Sequence, residues 1–145
     1  EYTYVNGNAY GTTKKSVEEA RARGKNVILD VDTIGAMKIR ALCPDATLIY
    51  ILPPSWDELK SRLSSTGIYT EEEVNALMEI AEEEISCANS YDYILVNDTI
   101  SNTLSRFAQI IHSNRYSRNC MKEFLDSYID GEVKPHVQSY KEALL

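Results

Sequence analysis

The run Asn26-Val27-Ile28-Leu29-Asp30-Val31-Asp32 constrains this chain more than any other stretch. Its consecutive aliphatics follow Gly24-Lys25 without polar alternation, which predicts a strand covered on both faces, the kind that parallel sheets contain. At its carboxyl end the side chains alternate, so Asp30 and Asp32 point to one side and Val31 to the other. In open α/β sheets ligands bind in the crevice beyond the carboxyl ends of the strands, which makes a carboxylate pair there a candidate site. A plainer role is also open to either residue, as N-cap of the helix that follows.

Composition narrows what such a site can bind. The chain has 145 residues with 43% hydrophobic content, enough for one domain with its own core. A formal net charge of -7 excludes a nucleic-acid or anionic-membrane surface, since both need clustered Lys and Arg. Cys43, Cys87 and Cys120 are far apart and lack metal-ligand spacing, so no metal site is expected and a reduced, cytoplasmic protein is the plain reading. No segment has the length and apolarity of a membrane span. The first residue reads as a cut made inside a domain.

Strand and helix signals alternate along the chain. Asn6-Gly7 predicts a tight hairpin between two short tyrosine-rich strands. Helices are expected over residues 14–23, closed by Gly24, and over 35–42, ended by Pro44. Thr47 to Leu52 predicts a second buried strand, halted by Pro53-Pro54. Ser55 with Glu58, and Thr70 with Glu73, have the form of capping boxes that open helices over 55–63 and 71–88. The small polar stretch between them, Ser64 to Tyr69, suits a mobile lid. Tyr93 to Val96 predicts a third strand and 101–112 a helix. Phe124 to Ile129 suggests a short helix in a tail whose last residues, from Val137, are either helical or disordered. The alternation predicts a parallel α/β layer.

Gly7-Asn8-Ala9-Tyr10-Gly11-Thr12, Ile28-Leu29-Asp30-Val31-Asp32 with Gly35, Ile51-Leu52-Pro53-Pro54-Ser55, Arg62-Leu63 and Val96-Asn97-Asp98 together resemble guanylate kinases and guanylate kinase-like domains. These pieces occur in that family's order and spacing, and the set spans about Glu1 to Ile111. The resemblance implies an α/β, nucleoside monophosphate kinase-like core with a parallel sheet, beginning partway through the domain. It implies a guanylate kinase-like domain over 1–113, with a β-rich GMP-binding element at 1–12 and a helical lid at about 62–78, followed by an extension over 114–145. Glu1, Thr12 and Asp32 would read the guanine edge, and Tyr10 would hold the acceptor phosphate. Guanine offers N1–H and an exocyclic amine, which carboxylates match, and an O6 acceptor, which a hydroxyl matches. Asp30 would sit by the phosphates and their magnesium network as a catalytic group. Arg62 would serve both catalysis and the adenine side, where Asn97 joins it.

The chain departs from that pattern in three places. It has no glycine-rich loop with a lysine to cradle phosphates. Thr66 and Leu77 stand where active members carry lid arginines, and Ile34 stands where the family usually has glutamine. In the family's sheet order the strand that feeds the phosphate loop lies between the strands expected at 26–32 and 47–52, so both are expected to show unpaired edges. The departures predict a catalytically degenerate domain that binds GMP and serves as a scaffold or interaction module, with a protein partner meeting the 114–145 extension. The alternative is a fragment of an active kinase that transfers phosphate from ATP to GMP, favoured by the retained Glu1, Tyr10, Thr12, Asp30 and Asp32. ATP and Mg2+ enter only if the complete domain is active, and neither would be bound directly by this chain alone. A phosphopeptide-binding scaffold module has less support, because it would not need the acidic guanine-reading positions.

Overall fold

The computed structural model describes the backbone of residues 2–5 and 8–131 and the side chains of residues 11–131. It divides into two compact units, Glu1–Val96 and Asn97–Leu145.

The first unit opens with β1 (Tyr2–Val5) and β2 (Asn8–Gly11), which pair antiparallel with Val5 opposite Asn8 and Thr3 opposite Tyr10. The expected Asn6-Gly7 turn lies outside the described residues. Helix α1 (Lys14–Ala22) begins at Thr13, whose hydroxyl accepts from the Ser16 amide. It ends as the sequence predicts. Gly24 adopts a φ of 73°, its amide donates to the Arg21 carbonyl, and the Lys25 amide reaches back to Ala20. This paired arrangement needs a left-handed residue, for which glycine has no steric penalty.

Residues 26–32 do not form the expected ladder strand. Among the described residues the first unit's parallel sheet contains only β3 (Ile49–Leu52) and β4 (Tyr93–Val96), in register from Ile49 opposite Tyr93 to Leu52 opposite Val96. The 26–32 segment does keep the side-chain alternation of a strand: Val27, Leu29 and Val31 are half-buried, while Ile28, Asp30 and Asp32 are exposed. Apolar periodicity specifies that alternation locally, but a strand exists only when a neighbour takes its N–H and C=O groups. Among the described residues β3 pairs with β4 alone, and the neighbour in register with Leu95 shows the effect. Ile51 is 55% exposed while Leu95 is 3% exposed.

Helix α2 (Thr33–Leu42) precedes β3, and α3 (Trp56–Ser65) and α4 (Glu71–Ile85) lie between β3 and β4 in the chain. Ser55 caps α3 through the Glu58 amide. Thr70 and Glu73 complete a reciprocal capping box on α4, where the Thr70 hydroxyl takes the Glu73 amide and the Glu73 carboxylate takes the Thr70 amide. Val74 is 2% exposed, and Leu77, Met78, Ala81 and Ile85 follow it on one half-buried stripe. The α-helix stops short of the expected Ala88 and tightens into a 3₁₀ turn over Ser86–Ser90. The Ser86 hydroxyl donates to the Glu83 carbonyl at 2.7 Å, a local bond that competes with regular helical geometry. Tyr50 on β3 meets Tyr91 edge to face, with ring centroids 4.9 Å apart. Burial is the main cause that raises the pKa of both phenols, so the pair stays neutral at ordinary pH.

The second unit contains α5 (Ile100–Asn114), capped by Thr99 through the Asn102 amide, and α6 (Lys122–Ile129). Phe124 and Tyr128 stack edge to face on α6, at the place where a short helix is expected. No described helix is long and apolar enough to cross a membrane. The stretch from Val137 lies outside the described residues.

Candidate nucleotide site

Asp32 takes the plainer of its two predicted roles. It is the N-cap of α2, and its Oδ1 accepts the Gly35 amide at 2.6 Å. A carboxylate has a second oxygen, so capping leaves it able to accept from a ligand. Gly35 is what allows so close a cap. A Cβ there would lie 3.0 Å from Asp32 Oδ1 and 3.1 Å from the Val31 Cβ, tighter than side chains normally pack. Asp30 and Asp32 are both exposed and Val31 between them is half-buried, the alternation that puts two carboxylates on one side of an extended segment. The two carboxylates therefore line one edge just before the positive end of α2, where negative charge is favoured.

The other sequence-predicted residues fall at separate points. Tyr10 sits in β2, with its backbone opposite Thr3, and its side chain lies outside the described residues, as does Glu1. Thr12 follows β2 directly and is half-buried. Arg62 lies in the last turn of α3, and its Nε donates to Glu58 Oε1 at 2.8 Å. Partly exposed i,i+4 pairs of this kind contribute only about 0.3–0.5 kcal/mol. The structure places Asp30, Asp32 and Arg62 in the first unit and Asn97 in the second. Asn97 Oδ1 accepts the Thr103 hydroxyl at 3.1 Å, which ties the residue after β4 to the first turns of α5.

In the stretch expected to form a lid, the hydroxyls bond to backbone carbonyls three or four residues back. Ser64 donates to the Lys60 carbonyl, Ser65 to that of Arg62, and Thr66 to that of Leu63 at 2.8 Å. Thr66 also accepts from the Ile68 amide at 3.2 Å, and Gly67 turns the chain with a φ of 66°. These groups close the end of α3 and contribute no positive charge to the loop. Among the described residues no group of three His, Cys, Asp or Glu side chains converges on a metal position.

Asp98 is a polar centre that the sequence marked only as the last residue of the Val96-Asn97-Asp98 piece. Its carboxylate accepts the Thr99 amide at 2.6 Å, the Asn102 side chain at 3.4 Å and Arg106 Nη2 at 3.0 Å. The Thr99 amide is the largest cause of a lowered pKa, aided by Arg106 and Asn102 and opposed by desolvation. A carboxylate lowered on folding contributes stability above its ordinary value of 3.8, and that contribution is lost as pH falls through the lower folded value. Acid titration is therefore expected to loosen the start of α5 below that ordinary value, with the step absent in Asp98→Asn. NMR of the 98 carboxyl together with helical circular dichroism measures it. An identical acid transition in both proteins would contradict the assignment.

Two further partners escaped sequence reasoning. Arg40 Nη2 meets Asp92 Oδ2 at 2.6 Å across 52 positions of chain. No local pattern marks a pair so distant. Its one sequence cue is a basic residue in the last turn of a helix, a position that suits cations in general.

The guanylate kinase family model matches residues 1–114. Among curated relatives, a guanylate kinase of Clostridium acetobutylicum is 40% identical over 141 residues, covering 97% of this chain and 66% of the relative. One from Francisella tularensis is 44% identical over 115 residues, covering 79% of this chain and 60% of the relative. The crystal structure of guanylate kinase from Anaplasma phagocytophilum superposes with a TM-score of 0.65 at 30% identity, covering 81% of this chain and 56% of that one. The chain thus spans less than two thirds of the length of these relatives. Its matched residues, its α/β fold and the order of its motifs agree: the chain belongs to the guanylate kinase family.

Proposed function

We propose that this chain is the acceptor-binding and lid-bearing part of an ATP:GMP phosphotransferase. The observation that carries the reading is the Asp30-Val31-Asp32 edge, with Asp32 fixed by its cap at the head of α2 and a carboxylate oxygen left to meet a ligand. Its placement in a chain 40% identical to a guanylate kinase supports guanine as that ligand. Asp32, with Glu1, would accept the guanine N1–H and amine, Thr12 would meet O6, and Tyr10 would hold the acceptor phosphate. Arg62, which pairs with Glu58 in the last turn of α3, would turn to the phosphates, and Asn97 would belong to the adenine surroundings. An exposed carboxylate such as Asp30 fits Mg2+, which keeps most of its waters and binds through one or two carboxylates and the substrate phosphates. The ion supplies charge neutralisation as the phosphoryl group moves.

One pair of residues favours a second reading. Thr66 is engaged in closing the lid loop and Leu77 lies on the apolar stripe of α4, so neither offers a cation to the transferring phosphate. A domain that binds GMP but has lost its chemistry, with residues 114–145 meeting a protein partner, would account for them. In the first reading the same residues make a slow kinase. Both readings require selectivity for GMP over AMP, because adenine lacks guanine's N1–H and 2-amino group and carries its own amine where guanine has O6, and a site built around such bonds rejects the analogue that lacks them. Calorimetry on the full-length protein is expected to detect GMP and not AMP. Equal affinity for the two would reject the guanine assignment.

A further inference from the structure

We propose that Arg40 and Asp92 are positioning residues that hold Asp32 in place against the guanine, acting through the length of α2. The inference rests on the GMP-binding reading above and concerns how that site is held. Asp32 is fastened to α2 by its cap, so it moves as that helix moves. Among the described residues the cap is the side-chain hydrogen bond that Asp32 makes. Among the described residues the segment before it has no ladder bonds to a neighbouring strand, and only Gly35 and Ala36 of α2 are buried. Ile34 and Leu42, near its two ends, are 65% and 72% exposed, so apolar packing grips the helix weakly.

The far end of α2 is held by polar bonds. Arg40 Nη1 donates to the carbonyls of Pro44 at 3.1 Å and Ala46 at 3.0 Å, while its Nη2 meets Asp92 Oδ2 at 2.6 Å. The same Asp92 oxygen accepts the Leu48 amide at 2.8 Å. The Leu48 carbonyl in turn accepts the amides of Asp92 and Tyr93, at 2.9 and 3.1 Å. One guanidinium therefore joins the last turn of α2, the loop leading into β3 and the entry to β4. Arg40 is eight positions from Asp32, about 12 Å along a helix axis, so a small tilt at the clamp becomes a displacement at the carboxylate. A planar guanidinium can serve a carboxylate and two carbonyls at once, whereas an ammonium cannot match that fork.

Arg40→Lys and Asp92→Asn in the full-length protein test the clamp. Calorimetry reads the Kd for GMP, for IMP and for ATP, with binding stoichiometry and the thermal midpoint alongside. IMP lacks the exocyclic amine, so the ratio of its Kd to that of GMP reports how well Asp32 is aimed. Each variant is expected to weaken GMP about tenfold and to narrow the GMP-to-IMP ratio, with ATP within about twofold and stoichiometry unchanged. Unchanged GMP and IMP constants in a folded variant would overturn the proposal. So would GMP and ATP weakening together as the stoichiometry falls, which would mark the pair as purely structural. If Asp92→Asn does not fold, Arg40→Lys, which keeps the charge beside Asp92, carries the test alone. Wild-type protein that binds no GMP would remove both this proposal and the function on which it rests. GMP binding without phosphoryl transfer would remove only the kinase reading and leave the clamp standing on these constants.

Discussion

Asp32→Asn is expected to weaken GMP binding about a hundredfold while changing stability by less than about 0.5 kcal/mol. The separation is possible because the proposed guanine contact and the observed cap have different chemical needs. Capping requires an oxygen for the Gly35 amide, and asparagine supplies one about as well as aspartate does. Reading guanine requires an acceptor on the other side of the group, and there asparagine presents an amide that donates. Donor would then face donor at N1–H and the exocyclic amine, and a buried unmatched pair of this kind carries its full desolvation cost. Calorimetry and thermal unfolding on the same preparations measure the two effects. Unaltered GMP affinity would leave Asp32 as a helix cap and nothing more.

Thr66→Arg combined with Leu77→Arg is expected to raise the phosphoryl-transfer rate by roughly a hundredfold or more, with GMP affinity little changed. Charge spreads over the phosphate oxygens in the transition state, so cations delivered by a closing lid act mainly on the rate. The present lid delivers none at these positions. Thr66 bridges the Leu63 carbonyl and the Ile68 amide, and Leu77 is half-buried on the stripe that Val74 begins. Arginine at 66 gives up two neutral bonds, about 1 kcal/mol each. Arginine at 77 can lay its stem along the apolar stripe and carry its head outward. Single-turnover kinetics with saturating nucleotides read the effect directly. A double variant that folds, binds GMP and turns over no faster would show that lid charge does not limit the reaction.

What the sequence made legible was mostly local. Ser55, Thr70 with Glu73, and Gly24 each act within a few residues, and each closes or opens its helix where the pattern predicts. The strands at 49–52 and 93–96 were legible too, because short aliphatic runs flanked by turn residues have few other uses in an alternating α/β chain, whereas their pairing with each other joins distant points and appeared only in the fold. The run at 26–32 was legible in its side-chain alternation but not in its hydrogen bonding, which depends on a neighbour rather than on its own residues. In the site, the spacing of Asp30 and Asp32 and the glycine three positions on were readable, since the cap and the shared edge are consequences of short-range geometry. The Arg40 bridge to Asp92 was not, because it joins points 52 positions apart that only the folded chain brings together. Thr66 shows a subtler gap. Its identity marked a position where the resemblance implies an arginine, while its bonds to the Leu63 carbonyl and the Ile68 amide appeared only in the folded chain.

The most direct test of the kinase reading is a coupled assay for ADP and GDP on the full-length protein, with ATP, Mg2+ and GMP supplied. The account predicts GMP-dependent formation of ADP and GDP in equal amounts, slower than the roughly 1 to 100 per second usual for kinases. GMP that binds by calorimetry yet yields no ADP above the GMP-free background would contradict it and leave a nucleotide-binding domain without chemistry.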